Sequence, residues 1–149
     1  MNREPPYTLD ILRLAASSPV ETSLPSLSHS AEARSTTCGS VIRTDLSVNE
    51  GRIDAIAQKV TACAYGQASA ALVQSWARGR LRAEVIVMRA AVKAWLEGRG
   101  EVPTDFAVLG PVQGRAGRHG AVLLPFDALL KALEAPINAT EPNGDRNEG

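Results

Sequence analysis

Cys38 and Cys63 are the only two cysteines in a chain of 149 residues. Both sit among small residues. Cys38 lies in Thr37-Cys38-Gly39-Ser40, where the following glycine leaves an open approach to the thiol. Cys63 immediately precedes Ala64-Tyr65-Gly66-Gln67-Ala68-Ser69-Ala70-Ala71, a run with the composition of a helix. A thiol at a helix start faces unpaired N–H groups, which favour the thiolate that binds metal or accepts sulfur. The competing reading is a small buried hydrophobe, the commonest role of a free cysteine. Of the two histidines, His119 stands in a loop rich in glycine and arginine, and His29 in a serine-rich arm reads as surface.

The elements that must position these residues follow from periodicity. Tyr7, Ile11 and Leu14 share one face of a short first helix ending before Pro19. Residues 18–37 read as an extended surface arm. Val41 to Val48 alternates, with Ile42, Thr44, Leu46 and Val48 on one face, and Asn49-Glu50-Gly51 supplies a hairpin turn. Arg52 to Val60 is the returning strand, with a less regular alternation. A helix from Ala64 to Arg78 ends at Gly79, and a second from about Arg82 to Glu97 carries the stripe Leu81, Val85, Met88, Val92 and Trp95. Glu101 to Leu124 reads as irregular, with Pro125 in the first turn of a last helix. The expected architecture is α+β: a small antiparallel sheet of about three strands, with an N-terminal helix and three further helices packed on it. One domain over residues 7–135 is expected, with a flexible stretch at 1–6 and a disordered polar tail at 136–149.

Composition narrows the function. Sixteen basic residues balance sixteen acidic ones, so no overall field draws the chain to nucleic acid or to an acidic membrane. The local run Arg78-Gly79-Arg80-Leu81-Arg82 reads as a solvated helix junction. No apolar stretch is long enough to span a bilayer, and the first residues lack the apolar core of a secretory signal. Two cysteines make no disulfide framework, so a reducing cytoplasmic setting is expected, with both thiols free or metal-bound.

Three stretches together resemble the NifU/IscU-type iron–sulfur cluster scaffolds, including their SufU-like branch. They are Arg34-Ser35-Thr36-Thr37-Cys38-Gly39-Ser40, then Gly51-Arg52-Ile53, then Cys63 with the helix from Ala64 to Val73. The likeness extends to Gly79-Arg80 and resumes over Arg118-His119-Gly120 to Pro125-Phe126. The resemblance implies a SufE/NifU-like fold and a non-enzymatic scaffold. Its partners would be a cysteine desulfurase that supplies sulfur and apoproteins that accept the product. Its cargo would be a transient iron–sulfur cluster, iron or zinc, held by three cysteines and an aspartate or histidine. Cys38 and Cys63 match the first two family cysteines. Ser40 stands in place of the aspartate, Gly120 in place of the third cysteine, and His119 where a subset of scaffolds has a histidine ligand.

The resemblance therefore leaves Cys38, Cys63 and His119 as the ligand set, with Cys38 and Cys63 as the persulfide acceptors. Zinc takes two thiolates and an imidazole with a fourth position open. A cluster would need its fourth ligand from a partner, a small thiol or a side chain such as Asp105. Two other readings are a degenerate module, zinc-stabilised or metal-free, that binds or regulates the assembly machinery, and a sulfurtransferase built on a Cys63–His119 pair.

Overall fold

The computed structural model describes residues 8–17, 24, 26–36 and 39–137. Residues 1–7, Cys38 and the segment 138–149 lie outside the described residues, and with them the expectations for Tyr7, for the N-terminal stretch and for most of the tail.

Helix α1, Leu9–Ala16, begins at Thr8, whose hydroxyl accepts the Ile11 N–H at 3.1 Å. Its Ile11 is fully buried, anchoring α1 against the rest of the core. Three antiparallel strands follow in the order β1-β2-β3: His29–Arg34, Val41–Asn49 and Arg52–Thr61. Strand β1 corrects the expectation of a bare surface arm. Its sequence, His29-Ser30-Ala31-Glu32-Ala33-Arg34, puts His29, Ala31 and Ala33 on its inner face, so hydrophobic alternation is too weak to announce a strand. His29 is accordingly half-buried in β1, with Nδ1 2.8 Å from the Ser28 hydroxyl. The outer edge of β1 is met by residues 135–137, where the Ile137 N–H donates to the Ser28 carbonyl at 2.7 Å.

The β2–β3 turn places both Glu50 (φ 54°) and Gly51 (φ 81°) in the left-handed region, as a two-residue hairpin of this twist requires. A register shift at Ser47/Val48 pairs Ser47 with Ala55 and Val48 with Ile53, which leaves Asp54 extra. That bulge explains the irregular alternation of β3: Ile53 and Ile56 are three residues apart yet both are buried.

Helix α2, Ala64–Ala77, and helix α3, Arg82–Leu96, are joined through Gly79 at φ 80°. The basic run is the expected helix junction. Arg80 lies 4.8 Å from the Trp76 ring centre, Arg82 pairs with Glu134, and Arg52 Nη1 donates to the Gly79 carbonyl at 2.9 Å. Val85, Val92 and Trp95 of the expected α3 stripe are buried, and Leu81 and Met88 are half-buried.

The region expected to be irregular is largely helical. Thr104–Gly114 and Ala116–Arg118 form 3-10 turns, and α4 spans His119–Leu133. Pro125 is therefore inside α4 and not in its first turn. The glycines and prolines of this segment do not stop 3-10 turns, whose short i→i+3 bonds make few demands on length.

Helices α2 and α4 pack on one face of the sheet, with α1 against α2 and α3 against α4. The main core includes Ile11, Leu46, Ile56, Tyr65, Val73, Phe106, Phe126 and Leu129. A second, smaller cluster of Ala33, Ile42, Ala70, Leu124 and Ala128 lies under the start of β2. Among the described residues no helix is long and apolar enough to cross a membrane.

Candidate metal and sulfur site

Three chain segments converge on one end of the molecule. Val41 at the start of β2 pairs with Thr61 at the end of β3, and the chain passes from Thr61 through Ala62 to Cys63. At the same end the Ser35 N–H donates to the Ser40 carbonyl at 2.9 Å, closing the β1–β2 connection that contains residue 38 in sequence. Gly39 is exposed at φ 73°, with nothing near the place a Cβ would occupy. Cys38 itself is outside the described residues.

Cys63 is the N-cap residue of α2. It is a free, half-buried thiol that makes no side-chain cap hydrogen bond. Its backbone carbonyl accepts the Gln67 N–H at 2.9 Å, and the Gln67 side-chain amide donates to the Ala62 carbonyl at 2.9 Å. Gln67 thus fixes the turn that carries the thiol.

The third segment is the start of α4. Helices α2 and α4 run side by side in the same direction, with contacts from Gly66 to Ala121, Ser69 to Val122 and Trp76 to Phe126. A Cβ on Gly66 would fall 3.5 Å from the Ala121 Cβ and 3.4 Å from the Ala121 carbonyl oxygen. That carbonyl is the one Pro125, four residues on and lacking an N–H, cannot bond. The buried Ser69 hydroxyl donates to the Val122 carbonyl at 2.7 Å. Cys63 and His119 each lie within about one helical turn of this crossing, on the same end.

His119 is held in a defined orientation. Its Nε2 is 3.1 Å from the Val112 carbonyl and 2.8 Å from the Gln113 carbonyl. Carbonyl oxygens only accept, so Nε2 carries the hydrogen and Nδ1 keeps the ring's lone pair. A ring nitrogen tied to a carbonyl in this way is the usual support of a histidine that ligates through its other nitrogen.

The remaining residues fall elsewhere. Ser40 is only 3% exposed, and Gly120 is an exposed residue in the first turn of α4. Asp105 lines a groove of about 460 Å³ with Trp76, Arg80 and Met88, at the C-terminal end of α2. Trp76 is thirteen positions beyond Cys63, about 20 Å along the helix, so Asp105 belongs to the opposite end of α2. Among the described residues no three His, Cys, Asp or Glu side chains are grouped as a metal site. Gly66, Ser69 and Pro125 belong to the site's frame: Ser69, whose alanine-rich setting suggests helix–sheet packing, bonds α4 instead, and Pro125 lies inside α4. The one signal on α2 is the spacing of the small residues Gly66, Ser69 and Ala70.

Comparison with known proteins is consistent with this layout. Residues 18–117 match the family profile described as the NifU-like N-terminal domain, and the chain belongs to that family, one of non-enzymatic scaffolds. The matched stretch takes in Cys38 and Cys63 and stops before His119. A NifU-like N-terminal protein from Brucella abortus is 28% identical, with a TM-score of 0.79 over 85% of this chain and 91% of its own. A protein assigned as an iron–sulfur cluster assembly scaffold of the SUF system, from Fervidobacterium islandicum, shares the fold. It is 17% identical, with a TM-score of 0.77 over 86% of this chain and 96% of its own. No curated protein matches the chain.

Proposed function

We propose that the chain acts in iron–sulfur cluster assembly as a cytoplasmic scaffold or sulfur and iron carrier, with Cys38, Cys63 and His119 as its ligands. The observation that carries this reading is the anchored His119. Its Nε2 is committed to the Val112 and Gln113 carbonyls, its Nδ1 is left to ligate, and the α2–α4 crossing holds it at the same end as Cys63. Family membership supports the role, and the 28% identical NifU-like protein agrees with it.

In this reading a cysteine desulfurase presents a persulfide. The thiolate of Cys38 or Cys63 attacks its outer sulfur, the new S–S bond forms on this chain, and the desulfurase thiolate leaves. Iron, a nascent cluster or zinc is then held as cargo by two thiolates and one imidazole. The fourth position is open to an exogenous donor or to an acceptor apoprotein.

A second reading has specific support. Ser40 is buried and Gly120 has no side chain, so neither offers the ligand expected of the family at its position. An interaction or regulatory module that binds the assembly machinery without building clusters fits those two residues.

One set of measurements separates the two. Untagged protein is assayed for zinc and iron and for thiolate-to-iron absorption after anaerobic reconstitution, alongside Cys38→Ser and Cys63→Ser. Absorption that is lost in both variants supports the scaffold. One zinc per chain and no cluster supports the module, and no metal under any condition with alkylation harmless to partner binding overturns the ligand assignment.

A further inference from the structure

Two rows of apolar side chains cross the inner face of the sheet, and the row between them is polar. Ala33, Ile42 and Val60 form one apolar row and lie with the small cluster; Leu46 and Ile56 belong to the main core. Between them, Thr44 on β2 stands directly opposite Gln58 on β3. Thr44 is 0% exposed and Gln58 2% exposed, yet the Thr44 hydroxyl and both amide atoms of Gln58 have no hydrogen-bond partner within the protein. Gln74 of α2 is 7% exposed; its Nε2 donates to the Ile56 carbonyl at 3.2 Å, and its Oε1 is unpartnered.

These four atoms share one region. Gln74 reaches β3 at Ile56, and Ala70, one turn earlier on the same face of α2, packs in the cluster flanked by Val60. Gln58 lies between Ile56 and Val60 on the same strand, so it faces α2 between Ala70 and Gln74. Burying an amide and a hydroxyl without partners costs several times what a hydrogen bond returns, and native interiors meet that demand with internal water.

We infer that the fold binds internal water between Thr44, Gln58 and Gln74. A water has two hydrogens and two lone pairs: it can donate to Gln74 Oε1, accept the Thr44 hydroxyl and bond one end of the Gln58 amide. That is about the three bonds usual for a buried water. The other end of the amide takes a second water. The site is a hydrated seam between the main core and the smaller cluster, beneath the middle and C-terminal half of α2.

Water-to-protein NMR cross-relaxation on the labelled full chain tests this, with oxygen-17 relaxation dispersion counting long-lived waters. The expected result is a direct water contact at the Gln58 side-chain amide, and at least one fewer long-lived water in Thr44→Val/Gln58→Met than in the wild type. An unchanged water count in that double variant overturns the inference. So does a wild-type Gln58 amide with no water contact, a result that stands even where the double variant does not fold.

Discussion

The buried Ser69 hydroxyl donates to the carbonyl of Val122 at 2.7 Å, linking the helix that starts at Cys63 to the helix that starts at His119. Ser69→Ala removes the donor and keeps the helix. The expected loss is about 1 kcal/mol, the usual net value of one hydrogen bond. For a chain of this size the melting temperature falls by roughly 2–4 °C. Thermal unfolding by circular dichroism measures it, and an unchanged melting point would mean the bond contributes nothing.

Gly66→Ala tests the same crossing from the steric side. On an isolated helix this change stabilises by about 1 kcal/mol. Here the new Cβ would stand 2.7 Å from the Ala62 Cβ and close to Ala121, so backbone must move. We expect the clash to win, with a net loss of about 1–3 kcal/mol. Metal affinity should fall with it, because the shift separates Cys63 from His119. Chemical denaturation and zinc titration read the two effects, and a stabilised variant would refute the close approach.

His119→Gln separates the anchor from the ligand. A glutamine amide reaches the Val112 and Gln113 carbonyls as Nε2 does, but it places no lone pair where Nδ1 stands. Stability should stay within about 1 kcal/mol of wild type. Zinc affinity should drop at least about tenfold. Equal affinity in the variant and wild type would remove His119 from the ligand set.

Much of the fold was legible in the sequence. Ile42, Leu46 and their alternating polar neighbours announced β2, and Val85, Val92 and Trp95 announced α3, because each element buries one face of large side chains. β1 was not legible, since its inner face carries one histidine, His29, and two alanines, Ala31 and Ala33, with no large apolar side chain. The start of α4 was hidden because Pro125 reads as a helix start, whereas here it interrupts a helix and frees the Ala121 carbonyl opposite Gly66. For the site, thiol chemistry made Cys63 a candidate from its place before a helix. Nothing local could reveal that carbonyls of a 3-10 segment orient His119, since that contact is set by tertiary packing.

Glu84 gives a pH signature independent of the site. Its carboxylate accepts the Leu81 N–H at 2.9 Å, and Arg80 lies 3.6 Å away. The backbone hydrogen bond first, and then the Arg80 charge, hold this carboxyl below the usual carboxylate range. A group lowered on folding stabilises above its unfolded value, and that stabilisation is lost as pH falls through the folded one. The melting-temperature gap between wild type and Glu84→Gln should therefore be widest near neutrality and close as the pH falls through and below the usual carboxylate range. A gap that stays constant or widens toward acid would contradict the assignment.

Gly120→Cys would restore the side chain that the resemblance to cluster scaffolds expects at this position. Residue 120 is exposed, in the first turn of α4 beside His119, and its backbone is not in the left-handed region, so a cysteine meets no backbone strain there. The variant offers a third thiolate next to the imidazole, completing a four-ligand set that suits zinc and cluster iron alike. Thiolate-to-iron absorption after anaerobic reconstitution should rise several-fold over wild type, and zinc should bind more tightly. Both gains should disappear when Cys63→Ser is added, since the new thiol acts only with the old one. A variant that folds as wild type does, yet gains neither metal nor cluster, would detach the start of α4 from the site and favour the interaction module.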